Sequence, residues 1–216
     1  RARMLFEVLQ GEVVADTWNN EYVKRSLDLC LSCKACKSEC PANVDLAAYR
    51  SEFLSHYYES HARPLEAYAF GMIDRWARLG SAFPRLANAA ARAPGIDALI
   101  RRTLHLADER KMPHLASGTF RRWARRNGVA AAGHRPRKPL SPPPGGRDVI
   151  LWADTFNNYF HPETAVAAYE VLGAAGFDVS VPQRHFCCGR PLYDFGMLPR
   201  AKTYLRRIMD GLGEEI

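Results

Sequence analysis

The stretch CLSCKACKSECP, residues 30–41, holds four of the six cysteines of this 216-residue chain. Their spacing is Cys30-x₂-Cys33-x₂-Cys36-x₃-Cys40, and Pro41 follows the last cysteine. This is the spacing of bacterial iron–sulfur ligand runs, in which three closely spaced thiolates hold one cubane cluster. The run therefore predicts a [4Fe–4S] site with Cys30, Cys33, Cys36 and Cys40 as metal ligands.

The role of Cys40 leaves two arrangements open. In one, all four ligands of a single cluster are local. In the other, Cys40 ligates a second cluster, as the fourth cysteine does in two-cluster proteins, and the remaining ligands lie upstream. The chain begins RARMLFEVLQ without an initiator methionine, and it ends MDGLGEEI. From these ends we expect a fragment of a longer protein.

Two other uses of the cysteines are less consistent with the sequence. A disulfide framework is typical of short secreted scaffolds, whereas this chain has 47% apolar residues and can build an ordinary core. Structural zinc usually needs two separated pairs of ligands, and no second pair stands near the run. A structural zinc site in a nucleic-acid-binding protein nevertheless stays as an alternative from another class of function.

Composition and charge narrow the partners. The formal net charge is +7, which suggests nucleic acid or an anionic membrane surface as a partner. Arginines lie in helical patterns such as FRRWARRNG, however, and these are typical of solvated helix faces, so we expect no nucleic acid. No apolar run has the length of a transmembrane segment. The many thiols indicate a reducing compartment, so we expect a cytoplasmic location, with peripheral contact at the inner face of the membrane as the alternative.

Periodicity predicts a helical first part, residues 1–133. Amphipathic helices are expected over 1–14 and 19–29, and NVDLAAYRSEFLSHYYESH restarts a helix after the cysteines, with Asn43 as N-cap. PLEAYAFGMIDRWARLG, FPRLANAAARA and PGIDALIRRTLHLAD continue the pattern, each beginning at or near a proline. Helical spacing places Phe70, Met72, Trp76 and Phe83 in the core. A linker rich in Pro and Gly, residues 134–146, marks a domain boundary.

Beyond the linker, residues 147–216 predict an α/β part. RDVILWAD and FDVSVP have strand character, and HPETAVAAYEVLGAAG between them has helical character, which together make a βαβ unit. The loop after the first strand lacks a glycine-rich phosphate cradle, so a dinucleotide site is not supported. The second strand leads into FCCGRPLYDFG. Cys187 and Cys188 therefore sit at the carboxyl edge of the sheet as a candidate metal or acceptor site.

CLSCKACKSECPANVD and CCGRPLYDFG together resemble the iron–sulfur portion of bacterial FAD-linked 2-hydroxyacid dehydrogenases. This family includes D-2-hydroxyglutarate and D-lactate dehydrogenases and is related to the iron–sulfur subunit of glycolate oxidase. The resemblance covers most of the chain and is weakest over residues 61–140. It implies a mainly α fold with a C-terminal α/β part: an all-helical ferredoxin-like domain, and then the first half of a CCG cysteine-rich domain.

The resemblance also implies a function. Electrons would pass from FAD, bound by an oxidase domain outside this chain, through [4Fe–4S] clusters to an acceptor such as quinone. A separate iron–sulfur subunit of a glycolate-oxidase or heterodisulfide-reductase-like complex is the alternative. The family pattern assigns Cys40 to a second cluster. In many CCG domains a cysteine follows the first strand, where this chain has Thr155. Lys34 and Lys37 stand between the ligands, and they either favour the reduced cluster or face water.

Overall fold

The computed structural model describes residues 1–12, 18–110, 112–132 and 147–213. Within these ranges the fold is mainly α with a small C-terminal α/β part, which confirms the predicted fold class. None of the helices in the described ranges combines the length and the apolar character that a membrane crossing requires. The predicted linker, residues 134–146, lies outside the described residues.

Most of the described residues are in helices, and the strands are few and short. The helices are α1 (Ala2–Gln10), α2 (Glu21–Asp28), α3 (Ala35–Glu39), α4 (Leu46–Ser60), α5 (Leu65–Gly71), α6 (Ile73–Gly80), α7 (Pro84–Arg92), α8 (Pro94–Thr103), α9 (Phe120–Arg126), α10 (Thr155–Tyr159), α11 (Pro162–Ala174), α12 (Arg190–Asp194) and α13 (Leu198–Leu212). The strands are β1 (Ala130–Ala132), β2 (Arg147–Ile150) and β3 (Phe177–Pro182).

The chain divides into two compact units. The first unit comprises Arg1–Met72 and Gly189–Thr203, and the second comprises Ile73–Cys188 and Tyr204–Ile216. The helices after Met72 thus belong with the sheet, and the segment after Cys188 belongs with the cysteine run. These ranges differ from the predicted division into 1–133 and 147–216, and the behaviour of those two parts as separable domains stays a prediction.

The core of the first unit is formed by apolar side chains from three helices. Burying one such side chain contributes about 1.5–3 kcal/mol to the stability of the fold. This cluster therefore stabilises the helices that flank the cysteine run. Leu9, Tyr22 and Tyr49 lie on the same three helices but are exposed. On α4 the small residues Ala47 and Ser51 occupy the buried face. The buried members of the core are Leu5 and Val8 of α1, Val23 and Leu27 of α2, and Phe53, Leu54 and Tyr57 of α4.

The start of α4 differs from the prediction by two residues. Asp45, not Asn43, is the N-cap: its carboxylate accepts a hydrogen bond of 3.0 Å from the Ala48 N–H. A carboxylate at this position also interacts favourably with the positive end of the helix dipole. Asn43 instead adopts a left-handed backbone conformation with φ 52°. The prediction of Asn43 as N-cap was wrong because two side chains suited to capping stand close together.

The segment predicted as one helix from Pro64 to Gly80 forms two, α5 and α6, with the break at Met72. The break changes which side chains of the second helix point inward, and Asp74 and Ala77 become its buried residues. Trp76 is therefore 48% exposed, and Phe70 and Phe83 are 38% and 71% exposed. The prediction that these three aromatic residues belong to the core was wrong.

The second unit contains a three-stranded parallel sheet in the order β1–β3–β2. The predicted βαβ unit is confirmed: β2 and β3 pair in parallel, with Val149 opposite Val179, and α11 connects them. Strand β1 was not predicted, because three alanines carry no strand signal. It pairs with β3 on the other side, with Ala131 opposite Val181. The carboxyl ends of β1 and β3 thus lie side by side.

Candidate functional site

The four cysteines of the run lie on one loop and one short helix of the first unit. Cys30 follows α2, Cys33 lies in the loop, Cys36 lies within α3, and Cys40 is the C-cap that follows this helix. Cys33 is exposed and the other three are half-buried. None of them forms a disulfide, so their thiols are available as ligands.

The backbone of this loop reverses direction between successive cysteines. Ser32 and Lys34 have positive φ angles of 52° and 63°. Each such residue other than glycine costs about 1–2 kcal/mol in L-amino acids, and it persists only where its surroundings determine it. Local hydrogen bonds help to do so: the Ser32 N–H donates to Cys30 Sγ at 3.4 Å, and the Cys40 N–H donates to the Cys36 carbonyl at 2.9 Å. The loop is therefore held in one shape.

Two arginines fasten the loop to the rest of the first unit. Arg50, on α4, donates to the carbonyls of Leu27 at 3.1 Å and Asp194 at 2.6 Å, and to Ser32 Oγ at 3.2 Å. Arg190, on α12, donates to the Ser32 carbonyl and to Asp194 Oδ1 at 2.8 Å. The segment directly after Cys187 and Cys188 thus fixes the loop that carries the first two cysteines of the run. No short-range pattern in the sequence signals this link.

Charges near the run are partly compensated. Lys34 Nζ lies 3.0 Å from Asp45 Oδ2, and Lys37 Nζ lies 4.0 Å from it. Burial acts to raise the pKa of the Asp45 carboxyl, but the hydrogen bonds from Lys34 and Ala48 outweigh it and leave that pKa below its ordinary value. The ammonium of Lys34 also lies 5.5 Å from the ring centre of Tyr193. Lys34 therefore does not simply face water.

The last cysteine of the run lies among backbone donors. N–H groups of Val44, Ala42 and Asn43 hold the pKa of the Cys40 thiol below its ordinary value. The thiolate is the form of cysteine that binds metals, so this arrangement favours ligation.

The fit of the run to a metal cluster can be judged from its donors. Among the described residues, no three His, Cys, Asp or Glu side chains converge on a point where they could hold a metal ion. The donor set itself suits a cubane cluster, because four thiols stand at the spacing of such ligands on a loop of fixed shape. The assignment of Cys30, Cys33, Cys36 and Cys40 as ligands stays a prediction.

The second pair of cysteines lies in the second unit, five and six residues after the end of β3. Cys187 is buried, Cys188 is exposed, and no disulfide joins them. Trp152, which follows β2, donates from Nε1 to the Phe186 carbonyl at 2.9 Å and so holds the chain just before the pair. This agrees with the expected placement at the carboxyl edge of the sheet. A metal or acceptor role for these cysteines stays a prediction.

A buried carboxylate that the sequence did not single out fixes the approach to this pair. Asp74 Oδ1 lies 2.7 Å from His185 Nε2, and both side chains are only 4% exposed. Thr155 donates to the same oxygen at 3.3 Å, while Arg78 and Tyr204 donate to Oδ2 at 3.3 and 3.5 Å. Burial alone would raise the pKa of Asp74, but these hydrogen bonds and charges, His185 first, hold it below its ordinary value.

Comparison with known proteins gives two groups of relatives, and the first consists of D-2-hydroxyglutarate dehydrogenases. A D-2-hydroxyglutarate dehydrogenase of Pseudomonas putida is 27% identical over 169 residues, which are 78% of this chain and 16% of that protein. The Escherichia coli protein of the same description is 24% identical over 155 residues, 72% of this chain and 15% of that protein. The chain is related to these dehydrogenases. The resemblance inferred from the two cysteine motifs is thus confirmed.

A second group of relatives has a different description. One subunit of the anaerobic glycerol-3-phosphate dehydrogenase of Escherichia coli is 26% identical over 159 residues, 74% of this chain and 37% of that subunit. The chain therefore spans less than two fifths of the length of each of these relatives. No model of a protein family matches it, and no solved structure matches it.

Proposed function

We propose that this chain is an electron-transfer module of an FAD-dependent 2-hydroxyacid dehydrogenase. It would pass electrons from flavin through [4Fe–4S] clusters to an acceptor such as quinone. The observation that carries the proposal is the Cys30–Cys40 run, with its ligand spacing and its fixed loop, in a chain related to dehydrogenases. FAD would be bound by an oxidase domain of the same protein. We expect the module to work in the cytoplasm and to reach its acceptor at the inner face of the membrane.

Each residue of the site has a definite task in this proposal. A [4Fe–4S] cluster, when bound, supplies one-electron redox chemistry at a potential that its surroundings tune. Cys30, Cys33 and Cys36 supply thiolate ligands, and Cys40 completes the same cluster or serves a second one. Arg50 and Arg190 keep the loop in shape through Ser32, and so orient the ligands from outside.

A second candidate function is a separate iron–sulfur subunit that receives electrons from a flavin subunit. The relative that is a subunit of a glycerol-3-phosphate dehydrogenase favours it. Flavin analysis of the purified full-length protein separates the two candidates. FAD in the same polypeptide supports the first, and its absence there supports the second. For both candidate functions, we propose that Cys187 and Cys188 lie on the acceptor side of the electron-transfer path. We also propose that they hold no complete cluster within this chain.

Substitution of one exposed ligand tests the cluster. We expect anaerobic reconstitution with iron and sulfide to give visible absorbance that dithionite bleaches, and Cys33→Ser to lose most of the bound iron and sulfide. Cys188→Ser is a matched control because it also removes an exposed thiol, and it should retain both. Unchanged iron in Cys33→Ser would refute the ligand assignment. A colourless protein containing zinc would support the structural alternative instead.

The two arrangements for Cys40 are separated by electron paramagnetic resonance of the full-length protein. If Cys40 serves a second cluster, Cys36→Ala and Cys40→Ala should each diminish a different signal. If all four ligands are local, both substitutions should diminish the same signal. The family pattern leads us to expect different signals.

A further inference from the structure

A cavity of about 920 Å³ opens at the carboxyl edge of the sheet in the second unit. Its wall includes Ala132, where β1 ends, and Pro182, where β3 ends, together with the chain that follows β3. Open α/β folds bind their ligands at this edge. The volume is at the upper end of the range of about 300–1,000 Å³ that small-molecule sites occupy. Size and position together indicate a binding site.

The wall of this cavity is strongly basic. Arg78, Arg121, Arg184 and Arg207 line it, against the carboxylate of Asp210. Within the described ranges, neither Arg184 nor Arg207 forms an ion pair with a carboxylate. Arginines without such an ion pair can bind an external anion, because a guanidinium offers several donors in a planar fork that matches phosphate and carboxylate groups.

Two of the arginines are close to one another around a buried phenol. Arg121 donates to the backbone carbonyl of Gln183, and Arg78 hydrogen-bonds to Tyr159. Burial, and after it the neighbouring charges of Arg125 and Arg78, lower the pKa of Arg121. Like charges that are partly removed from water repel each other, and a bound anion would relieve that repulsion.

A buried histidine adds a polar group that lacks a partner. His185 lines the cavity, and its Nε2 is occupied by Asp74. Its Nδ1 is buried and has no hydrogen-bond partner among the described residues. Buried polar atoms are nearly always satisfied, and leaving one unpaired costs about 1–3 kcal/mol. Because this atom has almost no surface open to solvent, His185 bounds the cavity without binding the ligand, and the arginines carry the recognition.

We propose that this cavity binds a small organic anion that carries phosphate or carboxylate groups. Arg121, Arg184 and Arg207 bind the anionic groups. The inference goes beyond the proposed electron-transfer function and does not depend on it, because none of the lining residues belongs to the Cys30–Cys40 run.

Direct titration tests the proposal. Inorganic phosphate and citrate are titrated into the full chain by isothermal calorimetry, each against chloride at the same ionic strength. Tighter binding of phosphate indicates a phosphate ester, and tighter binding of citrate indicates a polycarboxylate. We expect Arg207→Ala and Arg184→Ala to weaken the binding of the preferred anion at least tenfold. Both side chains are exposed, so the fold should be retained, which circular dichroism checks.

The chain provides matched controls for these variants. Arg206 is the exposed neighbour of Arg207 on α13, and it does not line the cavity. Arg206→Ala removes the same charge from the same helix and should bind the anion as the unsubstituted chain does. Equal weakening in Arg206→Ala and Arg207→Ala would reduce the effect to net charge and overturn the proposal. Failure of both anions to bind above the chloride control at about 10 mM would also overturn it.

Discussion

In the first unit, the cysteine run is held by cations that donate to backbone carbonyls, whereas in the second unit a buried carboxylate holds the approach to Cys187 and Cys188. Arg50 reaches three acceptors and remains half-buried. Asp74 is almost fully buried and is satisfied by four partners. A half-exposed charge whose partner is removed can hydrogen-bond to water instead, but a buried charge cannot. The second unit should therefore tolerate the loss of its anchor less well.

The largest effect is expected from Asp74→Ala. The substitution leaves the buried Nε2 of His185 and the hydroxyl of Thr155 without their acceptor, and each buried polar group left unpaired costs about 1–3 kcal/mol. Urea denaturation followed by circular dichroism measures it. Glu163→Ala is the matched control, because it also removes a carboxylate that pairs with a histidine, but both of those side chains are about two-thirds exposed. A loss as small as that of the control would contradict the comparison.

The contribution of Asp74 should also depend on pH in a known direction. Its pKa in the folded chain lies below the ordinary value, so the carboxylate stabilises the fold above pH of about 4, where the unfolded chain is also ionised. This stabilisation is lost as pH falls through the lower pKa of the folded chain. The free energy of unfolding of Asp74→Asn should therefore be lower than that of the unsubstituted chain, and this difference should shrink as the pH is lowered from about 5 toward 2.

An intermediate effect is expected from Gly196→Ala in the first unit. Gly196 has φ 66°, and an added Cβ would lie 2.6 Å from Leu54 Cβ and 2.7 Å from the Leu54 carbonyl carbon. Backbone strain and overpacking together should cost about 3 kcal/mol. Gly176→Ala is the control: its φ is 83°, but an added Cβ would meet nothing within 4 Å. Denaturation curves that coincide for the two variants would show that close packing at Gly196 does not matter.

The smallest of the three effects should come from Arg50→Ala. Its carbonyl partners can be rehydrated, so we expect a loss of about 2 kcal/mol, at the level of hydrogen bonds to a charged group. Amide hydrogen exchange should accelerate over residues 29–34, where the loop loses its link to Asp194. Arg25→Ala removes an exposed arginine that pairs only within α2, and it should change neither quantity much. Unchanged exchange in Arg50→Ala would contradict the anchoring role.

The parts of the fold that depend on close neighbours could be predicted from the sequence. The helices beside the run, the βαβ unit and the cysteine spacing each follow from patterns within about 15 residues. The anchors do not, because Arg50 and Asp194 are separated by 144 positions and Asp74 and His185 by 111. No periodicity connects residues at such distances. The break at Met72, which turns Asp74 inward, follows Gly71, but a single glycine within a helical pattern does not by itself decide between a break and a continuous helix.

The long separation between Arg50 and Asp194 has a consequence for synthesis on the ribosome. At about 5–20 residues per second, residue 194 is made roughly 7–30 s after residue 50. During that interval the nascent chain carries Cys30, Cys33, Cys36 and Cys40 on a loop that lacks its anchor at the carboxyl side. The thiols meet cellular iron, zinc and oxidants in that state. The four proposed ligands are therefore all present in the nascent chain before the contacts that fix their loop can form.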